Sequence, residues 1–115
     1  MMGKIEIQKI TDNVQALLGQ KKLDTAMAVL KRTQKEIPNH PLVTFQLGYV
    51  LFLKNNLEEA EYYLEITLQK IPILPGLIET LIAVYQNLGK FQKATQLLKK
   101  ALIWDPKKIN LILEY

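Results

Sequence analysis

The sequence repeats itself every 34 residues: Pro38, Pro72 and Pro106 stand at that interval, as do Ala26, Ala60 and Ala94, and Leu30, Leu64 and Leu98. Apolar residues at Leu23, Leu57 and Phe91 keep the same spacing. Four independent columns sharing one period constrain the fold more than any compositional figure. A period of this length marks an array of small units, none able to bury its apolar face alone, which must stack to make a continuous core. In phase, the units run 7–40, 41–74 and 75–108, and residues 1–115 read as a single domain.

Each unit holds two helical stretches. In the middle one, PLVTFQLGYVLFLK and LEEAEYYLEITLQKI are separated by Asn55-Asn56. Gly19 through Lys22 and Gly89-Lys90 make the corresponding breaks in the other two. Breaks this short force consecutive helices to lie antiparallel as neighbours. The alanine column lets two helices approach closely, and the leucine four residues later lies one turn along the same face. Proline ends each hairpin, because it lacks an N–H and disfavours helix in the residue before it. The fold class is therefore all-α.

Composition removes several chemistries. Of the 115 residues none is Cys and none is Ser, so disulfides, thiolate metal sites and Cys- or Ser-based nucleophilic triads are excluded. One histidine, His40, cannot build a multi-histidine metal centre. No cofactor is expected, and only carboxylates, lysines and tyrosines remain for catalysis, with no constellation that gathers them, so the chain does not read as an enzyme. The opening MMGKIEIQKI is too short and too charged for a signal peptide, and the apolar run Leu47–Leu53 cannot span a bilayer, so a cytoplasmic protein with no membrane span is expected. The net charge of +4 is distributed unevenly. Residues 7–40 carry six basic and three acidic side chains, residues 41–74 two and four, and residues 75–108 six and two. That alternation argues against a continuous nucleic-acid-binding surface.

Leu47-Gly48, Leu81, Tyr85, the three repeated alanines, Ala101 and the three prolines together resemble the tetratricopeptide repeat, over residues 7–108. The signature tryptophan column holds Ile10, Thr44 and Ile78 instead. The close-packing glycine of that signature, present as Gly48, is replaced by Val14 and Ile82 in the outer repeats. The resemblance implies an α-solenoid of three helix-turn-helix hairpins in a right-handed superhelix. Ile109 to Tyr115 would begin a further short C-terminal helix.

The family lines a concave groove with its first helices. Carried over by column, the groove here includes Gln15 from the first repeat, Leu42, Phe45, Gln46, Tyr49 and Phe52 from the second, and Ala83 and Gln86 from the third, with Asp12 and Glu79 on the same columns. Phe45, Tyr49 and Phe52 are spaced i, i+4, i+7 and share one helix face. Such rings are either anchors for a bound peptide or amphipathic helix, or simply core between repeats. The family's clamp for a chaperone C-terminal carboxylate uses Lys, Asn and Arg donors at positions that here are Thr11, Gln15, Gln46, Gly76 and Thr80. None of these is charged, so that ligand is not expected. The reading is a protein-protein interaction module, adaptor or chaperone-like. The alternative is a self-associating scaffold or homodimer that uses the apolar Ile109, Ile112 and Tyr115.

Three further features have plain structural readings. Glu58, Glu61 and Glu65 share a helix face and read as solvated rather than metal-binding. Lys31-Arg32-Lys35, Lys99-Lys100 and Lys107-Lys108 read as a solvated convex surface. His40 reads as a loop residue at a repeat junction, and Trp104 as packing beneath the tail.

Overall fold

The computed structural model describes residues 4–104, which form six helices: α1 (Lys4–Gly19), α2 (Leu23–Glu36), α3 (Pro41–Leu53), α4 (Leu57–Lys70), α5 (Leu77–Asn87) and α6 (Phe91–Trp104). The second helix of each hairpin starts at Leu23, Leu57 or Phe91 and ends at Glu36, Lys70 or Trp104, so starts and ends both recur every 34 residues. Consecutive helices pack on one another, and the first helices lie side by side, α1 against α3 and α3 against α5. The proposed helix over 109–115, the proline at 106 and the lysine pair Lys107-Lys108 lie outside the described residues.

The turns inside the hairpins share one device. Lys21 (φ 61°), Asn55 (φ 63°) and Gly89 (φ 75°) occupy one column and all take the left-handed conformation. The next residue then donates its N–H back across the turn: Lys22 to the Leu17 carbonyl at 2.9 Å, Asn56 to Leu51 at 2.8 Å and Lys90 to Tyr85 at 2.8 Å. This closure satisfies carbonyls orphaned at the helix end. Glycine takes it without steric cost, asparagine tolerates it, and lysine is strained by it.

Packing follows the small-residue columns. Ala26 and Ala60 are fully buried and Ala94 nearly so, as are Leu30 and Leu64. A Cβ placed on Gly48 would sit 2.6 Å from Leu64 Cγ and 3.3 Å from the Ala60 carbonyl oxygen, so only glycine fits where α3 crosses α4. Val14 and Ile82 hold this column in the outer hairpins, and there the helices approach less closely than α3 and α4 do. In the tryptophan column, Thr44 is fully buried and its hydroxyl meets that of Thr67 at 2.7 Å. Polar hydroxyls thus stand paired where the repeat signature has an indole.

Three local details go beyond the repeat pattern. Phe91 keeps the period of Leu23 and Leu57 but is 64% exposed, because no described element covers that end of α6. His40 stands outside the helices at the repeat junction, and there its Nδ1 accepts the Leu42 N–H at 3.2 Å and caps α3, with Pro41 in the first turn. Finally, α5 begins at Leu77, two residues later in phase than α3, which begins at Pro41. Gly76 turns into the left-handed region (φ 85°) and becomes the N-cap, which shortens the helix relative to α3.

Candidate functional site

The face formed by the first helices carries a cleft of about 310 Å³. Its walls are Gln8, Thr11, Asp12 and Gln15 of α1, Leu42, Phe45 and Gln46 of α3, and Leu74-Pro75 of the linker before α5. On α1, Gln8, Asp12 and Gln15 share a face at i, i+4, i+7, and Gln8 Nε2 donates to Asp12 Oδ1 at 3.0 Å. On α3, Leu42, Phe45, Tyr49 and Phe52 are all half-buried, while Val43, Leu47 and Val50 fill the core behind them. The Phe45 and Tyr49 rings stack with centroids 6.3 Å apart and planes inclined by 29°. Phe45 also reaches the linker, its Cζ lying 3.4 Å from where a Cβ on Gly76 would be. The left-handed glycine and the aromatic rim therefore fit together.

Of the groove residues read from the columns, the cleft brings together Gln15, Leu42, Phe45 and Gln46, and Tyr49 joins them through its ring contact. Phe52, Ala83 and Gln86 are half-buried and do not line this cleft. Gln46 behaves differently from a groove-surface residue. It is 5% exposed, and its Nε2 donates at 3.1 Å to the Thr11 carbonyl, joining α3 to α1. Its Oε1 is buried without a partner. Reading from columns missed Leu74 and Pro75, which lie in the linker before α5, outside the first-helix columns from which the groove was read. Ile109, Ile112 and Tyr115 lie outside the described residues. Just before them, Ile103 is 81% and Trp104 38% exposed.

The cleft offers few donors to an anion. Thr11 and Thr80 are buried, and their hydroxyls donate to the Gln8 and Gly76 carbonyls at 3.0 and 2.7 Å. The Gln46 amide N–H is spent on Thr11. A carboxylate entering here would find no charge-assisted donor to replace its water.

The acidic face of α4 is also not what the sequence suggested. Glu61 is buried, not solvated: Lys90 Nζ meets its two oxygens at 2.7 and 2.9 Å, and Lys93 Nζ lies at 3.2 Å. Glu65 accepts the Tyr85 hydroxyl at 2.5 Å, and Lys93 approaches it at 3.4 Å while standing 5.6 Å from the Tyr85 ring centre. Burial alone would push the Glu61 carboxyl up. The hydrogen bonds from Lys90 and Lys93 outweigh it and hold the group below the usual carboxylate range. Burial, reinforced by Glu65, raises the Tyr85 phenol well above its ordinary value. Lys54 pairs in the same way with Asp24 across the first repeat junction. Some of the charges of successive repeats are thus paired across their junctions. Lys31, Arg32, Lys35, Lys99 and Lys100 are exposed. Among the described residues no three His, Asp or Glu side chains gather as metal ligands, and no helix is long and apolar enough to cross a membrane.

No protein-family model matches the sequence, and no curated protein matches it. The structure is similar to the globular C-terminal domain of Pseudomonas aeruginosa LpoP, with a TM-score of 0.73 and 23% identity over 88% of this chain and 98% of that domain. It is also similar to MamA of MSR-1, at TM-score 0.73 and 24% identity over 89% of this chain. A MamA point mutant gives 0.73, 22% and 92%. The chain spans about three fifths of the MamA structures, 59% and 60% of their lengths. At these identities the likeness is one of fold. Three hairpins in a 34-residue period, with their first helices side by side, make the chain a tetratricopeptide-type α-solenoid.

Proposed function

We propose that this chain is a non-enzymatic protein-interaction module, adaptor or chaperone-like, that holds a peptide or amphipathic helix along its first-helix face. One observation carries the reading. Four apolar side chains on α3, Leu42, Phe45, Tyr49 and Phe52, keep part of their surface open on the same side as the cleft, while Leu42, Phe45 and Phe52 also pack against the core. Rings held in place by packing lose little freedom on binding and are the usual anchors of an interface.

The double change Tyr49→Ala, Phe52→Ala tests it. Partners recovered from the native source should bind the variant at least about 30-fold more weakly, corresponding to roughly 2 kcal/mol for loss of a hot spot. Circular dichroism must show the helices intact. Unchanged affinity in a folded variant would remove the groove from consideration. A second reading, self-association through the apolar C-terminal residues Ile109, Ile112 and Tyr115, is favoured by the exposed Ile103 and Trp104 beside them. It fails if sedimentation shows a monomer at every concentration.

A further inference from the structure

We infer that residues 109–115 dock in cis on the open face of α6, as a fourth first helix seated through Leu111 and Tyr115. This goes beyond the groove reading, and it takes Tyr115 away from the residues offered for self-association.

Burial along the columns shows how one hairpin joins the next. On the second helices, Met27, Leu30, Glu61 and Leu64 are buried, whereas the matching residues of α6 are not: Thr95 is exposed and Leu98 half-buried. The reason is that α3 packs over α2 and α5 over α4, while α6 is the last described helix. Its open face is therefore shaped for a first helix.

The first helices show what such a helix must bring. Lys9, Asp12 and Asn13 of α1 are exposed, but their columns are buried in α3 as Val43, Gln46 and Leu47, and in α5 as Leu77, Thr80 and Leu81. What α3 and α5 have and α1 lacks is a described hairpin on the preceding side, so these are the columns that a preceding hairpin covers. One period beyond α5 they hold Leu111, Glu114 and Tyr115.

Three observations favour this segment over a second copy of the chain. Its seam positions Leu111 and Tyr115 are apolar, as in α3 and α5, whereas the α1 of a copy would bring Lys9 and Asn13 against Leu98. The exposed Lys99 and Lys100 beside Leu98 are complemented by Glu114 and opposed by Lys9. Reach agrees as well. Residues 105–108 separate Trp104 from Ile109 just as 37–40 separate Glu36 from Pro41, and that connector suffices to lay α3 on α2. A helix over 109–115 rises about 10 Å, half of the roughly 21 Å of α6, so it covers the half that holds Leu98 and leaves Phe91 open.

Nuclear magnetic resonance of the full chain tests the docking. Nuclear Overhauser contacts should join the Leu98 methyls to the Leu111 or Tyr115 side chains. They should be absent from the isotope-filtered spectrum of a mixture of labelled and unlabelled chains, which reads only contacts between molecules. Leu111→Asp should abolish them and speed amide exchange over 113–115 by at least about tenfold, with the resonances of α1 to α4 unmoved. Contacts in the filtered spectrum would put a second copy on α6 and overturn the inference. No contact in either sample, or contacts and exchange rates that survive Leu111→Asp, would overturn it too. None of these results touches the groove reading, which stands or falls with Tyr49→Ala, Phe52→Ala.

Discussion

Replacing Gly48 with valine, the residue its own column holds at Val14, should damage this protein more than its conservative look suggests. A Cβ at Gly48 falls 2.6 Å from Leu64 Cγ and 2.7 Å from Leu64 Cδ2, and valine adds two methyl groups beyond it. Leu64 is fully buried, and the nearby Ala60 carbonyl belongs to helix backbone, so α4 itself must move. Overpacking of this kind costs about 1–3 kcal/mol, while leaving glycine for valine inside a helix returns roughly 0.4 kcal/mol. A net loss of about 2 kcal/mol would lower Tm by roughly 10 °C. Denaturant titration followed by far-UV circular dichroism measures it. Leu64→Ala alone should cost about 2–5 kcal/mol through its cavity. Combined with Gly48→Val the two should be less harmful than their sum by about 1 kcal/mol or more, because each relieves the other's fault. Stability within about 0.5 kcal/mol of the parent, or simple additivity in the pair, would refute the close crossing of α3 and α4. The crossing matters for the groove too, since α3 carries Phe45 and Tyr49.

Lys21→Gly should stabilise the chain by about 0.5–1 kcal/mol in thermal melts, since it relieves a left-handed lysine that makes no use of its side chain in the turn. The opposite change at the same column, Gly89→Ala, should destabilise by about 1 kcal/mol. Glu61→Gln should cost about 1 kcal/mol at neutral pH, its charged hydrogen bonds discounted because Lys90 and Lys93 are 42% and 50% exposed. The Glu61 carboxyl is held below its unfolded value, so its contribution is present above the ordinary carboxylate pKa of about 4.3 and disappears as pH falls through the lower folded value. Melts of parent and variant should therefore differ at neutral pH and converge in acid; a gap that persists unchanged below that window would show that the loss is not one of charge.

Much of the fold was legible because each repeated column answers to a local requirement. The alanine column suits the place where helices approach closely, a short break the place where a hairpin reverses, and proline the place where it ends. These demands act within a few residues and recur with the repeat. The groove was legible only in part. Columns place Phe45 and Tyr49 on one face of α3, but a helical period cannot say how deep a residue on that face lies. Gln46, on the flank of the same face, lies inward, where its amide donates to the Thr11 carbonyl of α1, 35 residues away in sequence.

What the sequence determined by itself is the unit: two helices, a short break between them, and a small-residue seam, all set by sterics between near neighbours along the chain. What only the tertiary structure decided is which polar and apolar faces find cover. Glu61 and Phe91 show the two outcomes. The carboxylate is buried because lysines from the next hairpin's turn and helix close over it, and the ring is left open because no described neighbour does. Burial depends on the partner surface that stacking supplies, and that surface is absent from the local pattern.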